Sequence, residues 1–348
     1  MLKTGNTSFA RWLTLLAVAA MLVLGACGQT GKNAPEVAGT EQNETQSETQ
    51  NAGESTNGQA GEGQEAPAEE EESAQATVYP LTVTDGTGTE LTFEQAPEKI
   101  VTLAPSETEI LYAIGAGDRV VGVDEFSNYP EEALDKPKIG DMTTNIEAVA
   151  ALNPDLVVAS SGMNGQAIEQ LRKLDLKVYA TDPKTYDEVI AKIEQIGEIV
   201  DAQEQAGEVA AHMREVKEQV AEAVKDAPRP KVYLEFSPGW SVGKGEFLDE
   251  LLTIAGGVNV AGDQPGWFEI TPESVVQQNP EIIIYPDLNV EPNPILEGIE
   301  SRPGWDAIDA VKHDRLYEVP QDPLVRVGPR LADGLLELAK AIHPDLFS

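Results

Sequence analysis

The stretch "NIEAVAALNPDLVV" (145–158) returns, little altered, as "TPESVVQQNPEIII" (271–284). Glu147 matches Glu273, Val149 matches Val275, and Asn153 with Pro154 matches Asn279 with Pro280. Each copy opens on a good helix-capping residue, Asn145 or Thr271, and Pro272 suits the first helical position. Apolar spacing then predicts a short helix, Asn-Pro a turn, and the apolar run at 156–158 or 282–284 a buried strand. A helix turning into a buried strand is half of a βα unit, so its recurrence predicts two similar α/β lobes. A second echo agrees. "TEILYAIGAG" from Thr108 and "DELLTIAGG" from Asp249 align Glu109 with Glu250, Leu111 with Leu252 and Gly115 with Gly256. The offsets of the two echoes differ, as unequal loop lengths require.

Outward from these copies, short apolar runs alternate with helical ones. "KIVTLA" (99–104), "RVVGVD" (119–124) and "KVYAT" (177–181) read as strands, as do "KVYLEF" (231–236) and "RLYEVP" (315–320). Helices are expected at 106–116, 165–175, 246–256, near 303–311, and from about 328 to 342. Ser106 and Glu109 have the spacing of a capping box. Between the two series, residues 202–227 lack proline and place Val209, Met213, Val216 and Val220 at helical spacing; Pro228 and Pro230 stop the run. The expected architecture is two similar α/β lobes joined by a single long rigid helix, with a ligand cleft between the lobes. The expected boundaries are residues 80–201 for the first lobe, 202–227 for the helix and 228–348 for the second lobe.

What precedes the lobes is of another kind. Residues 1–26 carry Lys3, Arg11 and an apolar stretch from Trp12 to Leu24, which reads as a secretory signal peptide. It ends in "LGAC", which resembles a bacterial lipoprotein cleavage box and implies lipidation of Cys27, the single cysteine. Residues 27–79 are rich in Gln, Glu, Gly, Ser and Thr and nearly free of branched apolar side chains, the composition of a disordered acidic tether. A tether of that length suits a thick cell wall, hence a Gram-positive cell and the outer face of its cytoplasmic membrane. Of the formal net charge of −36, the leader contributes +2 and residues 28–80 contribute −10, which leaves −28 on residues 81–348. Such a field repels nucleic acid and anionic surfaces.

Enzyme constellations are scarce. Three histidines, His212, His313 and His343, lie far apart without metal-ligand spacing. No G-x-S-x-G elbow and no phosphate loop occurs. "GAGDRVVG" (115–122) lies between a helix and a strand, the reverse of a dinucleotide fingerprint. Neither a catalytic residue, a resident metal nor a cofactor is expected. The chemistry on offer is aromatic and basic. Phe126 and Tyr129 follow a strand, as do Phe236 and Trp240; Trp267 and Phe268 precede the second repeat copy; Arg326 and Arg330 precede the last helix. These eight side chains suit a large, flat, partly apolar ligand with acidic groups. Packing under loops, and structural ion pairs for the arginines, are the alternative roles.

In their order, "IVTLAPSETEILYAIGAGDRVVGVDEFSNYP", "NIEAVAALNPDLVVAS", the lone helix, "AGGVNVAG" and "TPESVVQQNPEIII" resemble the solute-binding lipoproteins of ABC importers for iron siderophores and vitamin B12. The resemblance covers residues 81–348. It implies two lobes with limited hinge motion and a monomer that captures a cobalt corrinoid or ferric chelate. It also implies that Glu147 and Glu273 dock onto arginines of the permease dimer. Met142 stands where vitamin B12 binders often carry Trp, so corrinoid and siderophore both stay open. A secreted two-lobe enzyme acting on a chelate is the competing reading.

Overall fold

The computed structural model describes residues 76–141 and 143–347. The leader, Cys27, Met142 and the tether through residue 75 lie outside the described residues. After a hairpin, β1 (Leu81–Thr84) and β2 (Glu90–Phe93), the first lobe runs β3 (Ile100–Thr102), α1 (Pro105–Ala113), β4 (Val120–Gly122) and α2 (Ile146–Ala151). It continues through β5 (Leu156–Ser160), α3 (Ser161–Arg172), β6 (Val178–Thr181) and α4 (Tyr186–Ile199). The helix α5 (Gln203–Val224) follows. The second lobe runs β7 (Lys231–Leu234), β8 (Trp240–Val242), α6 (Phe247–Ile254), β9 (Val258–Asn259), β10 (Trp267–Glu269), α7 (Pro272–Gln278) and β11 (Ile282–Asp287). It ends with α8 (Pro294–Ser301), α9 (Asp309–Lys312), β12 (Leu316–Pro320), α10 (Gln321–Val325) and α11 (Leu331–Ile342).

Two four-stranded sheets carry the lobes, in the orders β4-β3-β5-β6 and β9-β7-β11-β12, and both are parallel throughout. The orders superimpose: β3 corresponds to β7, β5 to β11, β6 to β12 and β4 to β9. The repeated stretch is therefore α2–β5 in one lobe and α7–β11 in the other. Asn145 and Thr271 cap their helices by accepting from Ala148 N–H and Ser274 N–H. Asn153 (φ 47°) and Asn279 (φ 49°) both turn the chain through the left-handed region, which asparagine tolerates better than other side-chain-bearing residues.

Parallel strands covered on both faces should be apolar on both, and these are. Along β5, Leu156 and Val158 enter one core while Val157 and Ala159 enter another. Along β11, Ile282 and Ile284 alternate with Ile283 and Tyr285 in the same way. The inner core is continuous across both lobes. It joins Ile110 and Ile193 of the first to Leu251 and Leu335 of the second through Ala206, Ala210, Met213, Val216 and Val220 of α5. A helix buried in both lobes resists large relative motion, because displacing either lobe exposes its apolar stripe.

Several expected elements differ in detail. α5 has 22 residues, about 33 Å at the helical rise. It stops three residues before 227 because Pro228 disfavours helical geometry in the residue before it. The helix expected at 303–311 is broken at Ile308, which is extended (φ −72°, ψ 136°), into a 3₁₀ turn, Trp305–Ala307, and α9. The helix expected from 328 begins at Leu331. Ser106 is not an N-cap: α1 starts at Pro105 with Ala104 before it, and the Ser106 hydroxyl donates to Glu107 instead.

The second echo also has a structural identity. In α1 and α6 the residue after the positive-φ glycine, Ala116 or Gly257, donates back to Leu111 O or Leu252 O, both at 2.8 Å, the closure of a Schellman motif. The two glycines differ in surroundings. A Cβ on Gly115 would meet only Gln205 Cγ at 4.0 Å, whereas one on Gly256 would meet His343 Nε2 at 2.6 Å and Val224 Cβ at 3.0 Å. Gly115→Ala should cost about 1–2 kcal/mol for the left-handed backbone, and Gly256→Ala roughly 1–3 kcal/mol more from overpacking. Urea melts of the two variants check this, and equal losses would refute the packing difference.

Candidate functional site

In parallel α/β sheets, ligands gather beyond the carboxyl ends of the strands. The Phe126–Tyr129 segment follows β4, Lys184 follows β6, Phe236 follows β7, and Arg326 and Arg330 follow β12. The structure sorts the eight cleft candidates into two groups, and among the described residues no ring contact or hydrogen bond links them.

The first group spans the lobes. Phe126 and Tyr129 of the first lobe are 51% and 47% exposed. Arg326 of the second donates to Asn128 Oδ1 at 2.8 Å and to Phe126 O at 3.3 Å, and the Arg330 guanidinium lies 4.1 Å from the Tyr129 ring centroid. Both arginines converge on Glu109 of α1. Its carboxylate accepts from Arg326 Nη1 at 2.7 Å, Arg330 Nε at 2.9 Å and Arg330 Nη2 at 2.6 Å. Asp322 adds contacts of 2.9 and 3.6 Å. Both arginines thus form ion pairs, one of the two roles open to them by sequence. Burial disfavours the charge on Arg330, but its bonds to Glu109 outweigh that and hold its pKa above the usual value.

The second group belongs to the second lobe. Here β8 and β10 form a small antiparallel sheet that places Glu269 opposite Trp240 and Phe268 opposite Ser241. Trp267 stands edge-on to Phe236 at 4.7 Å and packs against Phe247 at 5.8 Å, with Trp240 41% and Trp267 36% exposed. Strand alternation puts Phe268 on the other face from Trp267, where it is half-buried.

Three further contacts fasten the lobes. Lys184 pairs with Asp182 at 3.1 Å and, across the junction, with Glu246 at 3.0 Å. Those bonds outweigh its desolvation and raise its pKa. Glu250 accepts from Tyr186 N–H at 2.6 Å. Lys192 of α4 pairs with Glu107 of α1 at 2.7 Å, with both side chains buried, and reaches Val327 O of the second lobe at 3.5 Å. Beneath Phe126 and Tyr129, Thr102, Thr108, Ser127 and Asp124 form a buried hydrogen-bonded chain with distances of 2.6, 2.7 and 2.5 Å. Burial pushes the Asp124 carboxyl up. Glu109, Lys192, Lys184 and Phe247 were not singled out as site residues by sequence. For Glu109 the hint was its alignment with Glu250, since both reach the opposite lobe.

Glu147 and Glu273 belong to neither group. Each is exposed in the first turn of its helix. A helix that leads into a parallel strand starts near the sheet's carboxyl edge, so the two carboxylates stand on the cleft side of their lobes. Among the described residues no three His, Cys, Asp or Glu side chains gather as metal ligands, and no helix is long and apolar enough to cross a membrane.

Comparison with known proteins agrees with this arrangement. The family model described as periplasmic binding protein matches residues 100–323. The uncharacterized ABC transporter substrate-binding lipoprotein YvrC of Bacillus subtilis is 39% identical over 280 residues, 78% of this chain and 88% of that protein. The crystal structure of a possible iron-binding, periplasmic solute-binding protein from Staphylococcus epidermidis aligns with a TM-score of 0.63 at 30% identity, over 72% of this chain and all of that one. The periplasmic vitamin B12 binding protein BtuF of Vibrio cholerae aligns with a TM-score of 0.65 at 26% identity, over 71% and 97% of the two chains.

Proposed function

The chain belongs to the periplasmic binding protein family of transport components, and from that premise we propose that it captures a metal chelate, a cobalt corrinoid or a ferric siderophore. It hands the chelate to an ABC permease dimer. The observation that carries this is the exposure of Phe126, Tyr129, Trp240 and Trp267 beyond the carboxyl ends of the strands, in a chain otherwise poor in aromatic residues. Large aromatic rings left partly in water suit a ligand with a broad, partly apolar face. Its relatives, a vitamin B12 binding protein and a possible iron-binding protein, support the same ligand class. Lipid on Cys27 holds the protein, a monomer, at the outer face of the cytoplasmic membrane of a Gram-positive cell. Glu147 and Glu273 meet the permease.

Titration of full-length protein with cyanocobalamin and with ferrioxamine B, followed by tryptophan fluorescence and calorimetry, is expected to give saturable one-to-one binding to one of them. Trp240→Ala and Trp267→Ala should each weaken that binding about five- to thirtyfold, the range for loss of a buried aromatic contact. Lack of saturable binding to any corrinoid or ferric chelate would sink the proposal.

A further inference from the structure

We propose that Glu109, together with Asp322, sets the charge class of the ligand: by holding Arg326 and Arg330 the two carboxylates cancel their charge, so the cleft takes a metal chelate with no net negative charge. The inference rests on the chelate-binding reading above and narrows it. Two guanidiniums beside exposed aromatic rings would by themselves invite an anionic ligand, since arginine pairs with carboxylate and catecholate oxygens through directed N–H donors. In this molecule Nη1 and Nη2 of Arg326 and Nε and Nη2 of Arg330 are already engaged. The Glu109 side chain is 2% exposed and accepts three of their hydrogen bonds, and Asp322 meets both arginines from the other side. The guanidinium-bearing side chains keep only 10% and 20% of their surface. Two arginines against two carboxylates leave no net charge there.

Lys184 and Lys192, the two lysines that reach across the junction, do not restore it. Lys184 faces two carboxylates, Asp182 and Glu246, and Lys192 is matched by Glu107 in a buried pair. The Phe126–Tyr129 segment is tied to the same arginines through Phe126 O and the Tyr129 ring. An anionic chelate would have to draw Arg326 or Arg330 away from a buried carboxylate and leave Glu109 with one cationic partner in place of two, which is costly. A neutral or cationic chelate can rest on the aromatic rings with the ion pairs intact.

The experiment compares three probes on the full-length protein by calorimetry: cyanocobalamin, cationic ferrioxamine B and the trianionic iron(III) tris-catecholate. The wild type is expected to bind the anionic probe at least about tenfold more weakly than the better of the other two. Glu109→Gln should close that gap by about tenfold, because one carboxylate charge is removed beside two guanidiniums. Reading the ratio of affinities cancels any general loss. Should Glu109→Gln fail to fold, Asp322→Asn removes a charge from the same arginines at a more exposed position, and a shift of the same sign is expected. Wild type that binds the tris-catecholate as tightly as the other probes, or a folded variant with an unmoved ratio, overturns this inference alone. Absence of binding by every probe overturns the chelate-binding reading and this one with it.

Discussion

Replacing Glu147 and Glu273 together by alanine is expected to cut chelate uptake by cells at least about tenfold, since close charge pairs across an interface couple by roughly 1.5 kcal/mol or more each. Ligand affinity of the purified protein should stay within about twofold. The two outcomes separate because of where the residues sit. Each glutamate is exposed, in the first turn of α2 or α7, and each helix keeps its own cap, Asn145 or Thr271. Removing the carboxylate therefore costs the fold only its interaction with the helix dipole, about 0.3–1 kcal/mol. The ion pairs that join the lobes use other residues, Glu109 and Glu246 among them. α2 and α7 lead into the equivalent strands β5 and β11, so the carboxylates form a pseudo-twofold pair that suits a symmetric permease dimer. Single replacements should give intermediate uptake. A parallel loss of ligand affinity would place the glutamates in the binding site, and normal uptake by the double variant would remove the docking role.

That pair was legible in the sequence because both its parts are local. A cap, a proline or polar first turn, and an Asn-Pro turn act within a dozen residues, and the φ of Asn153 and Asn279 follows from them. The Gly115 and Gly256 helix ends were legible for the same reason. The helix α4 was missed although Val189, Ile190, Ile193 and Ile196 have helical spacing and are buried. Only a short turn through Val200, Asp201 and Ala202 separates it from α5, with Asp201 in the left-handed region where no glycine marks the break. β8 and β10 have three residues each, too few for alternation to stand out amid Gly and Pro. Glu109 was read as a capping-box partner of Ser106 because that bond would be local. Its actual partners lie 217 and 221 residues away. Nothing in the spacing of one sequence reports a contact of that range.

A buried ion pair of the first lobe, beside the joint with the second, is where a single change should cost most stability. Lys192→Met is expected to destabilise the protein by about 3–5 kcal/mol, the loss seen when one partner of a buried ion pair is removed. The Lys192 and Glu107 side chains are 2% and 0% exposed, and their oxygen and nitrogen stand 2.7 Å apart. Without the ammonium, Glu107 keeps only the Ser106 hydroxyl as a side-chain donor and stays in a site closed to water. Glu107→Gln should cost less, since an amide is cheaper to bury than a carboxylate and can still accept from Lys192. Lys192→Met combined with Glu107→Leu should recover much of the loss, because paired apolar replacements remove the desolvation cost of both charges. Guanidinium melts of wild type, Lys192→Met, Glu107→Leu and the double variant form a double-mutant cycle. A strongly favourable coupling between positions 107 and 192 is the expected result. A loss below about 1 kcal/mol for Lys192→Met, the range of an exposed pair, would mean that water reaches Glu107 and that the pair does not pin α4 to α1.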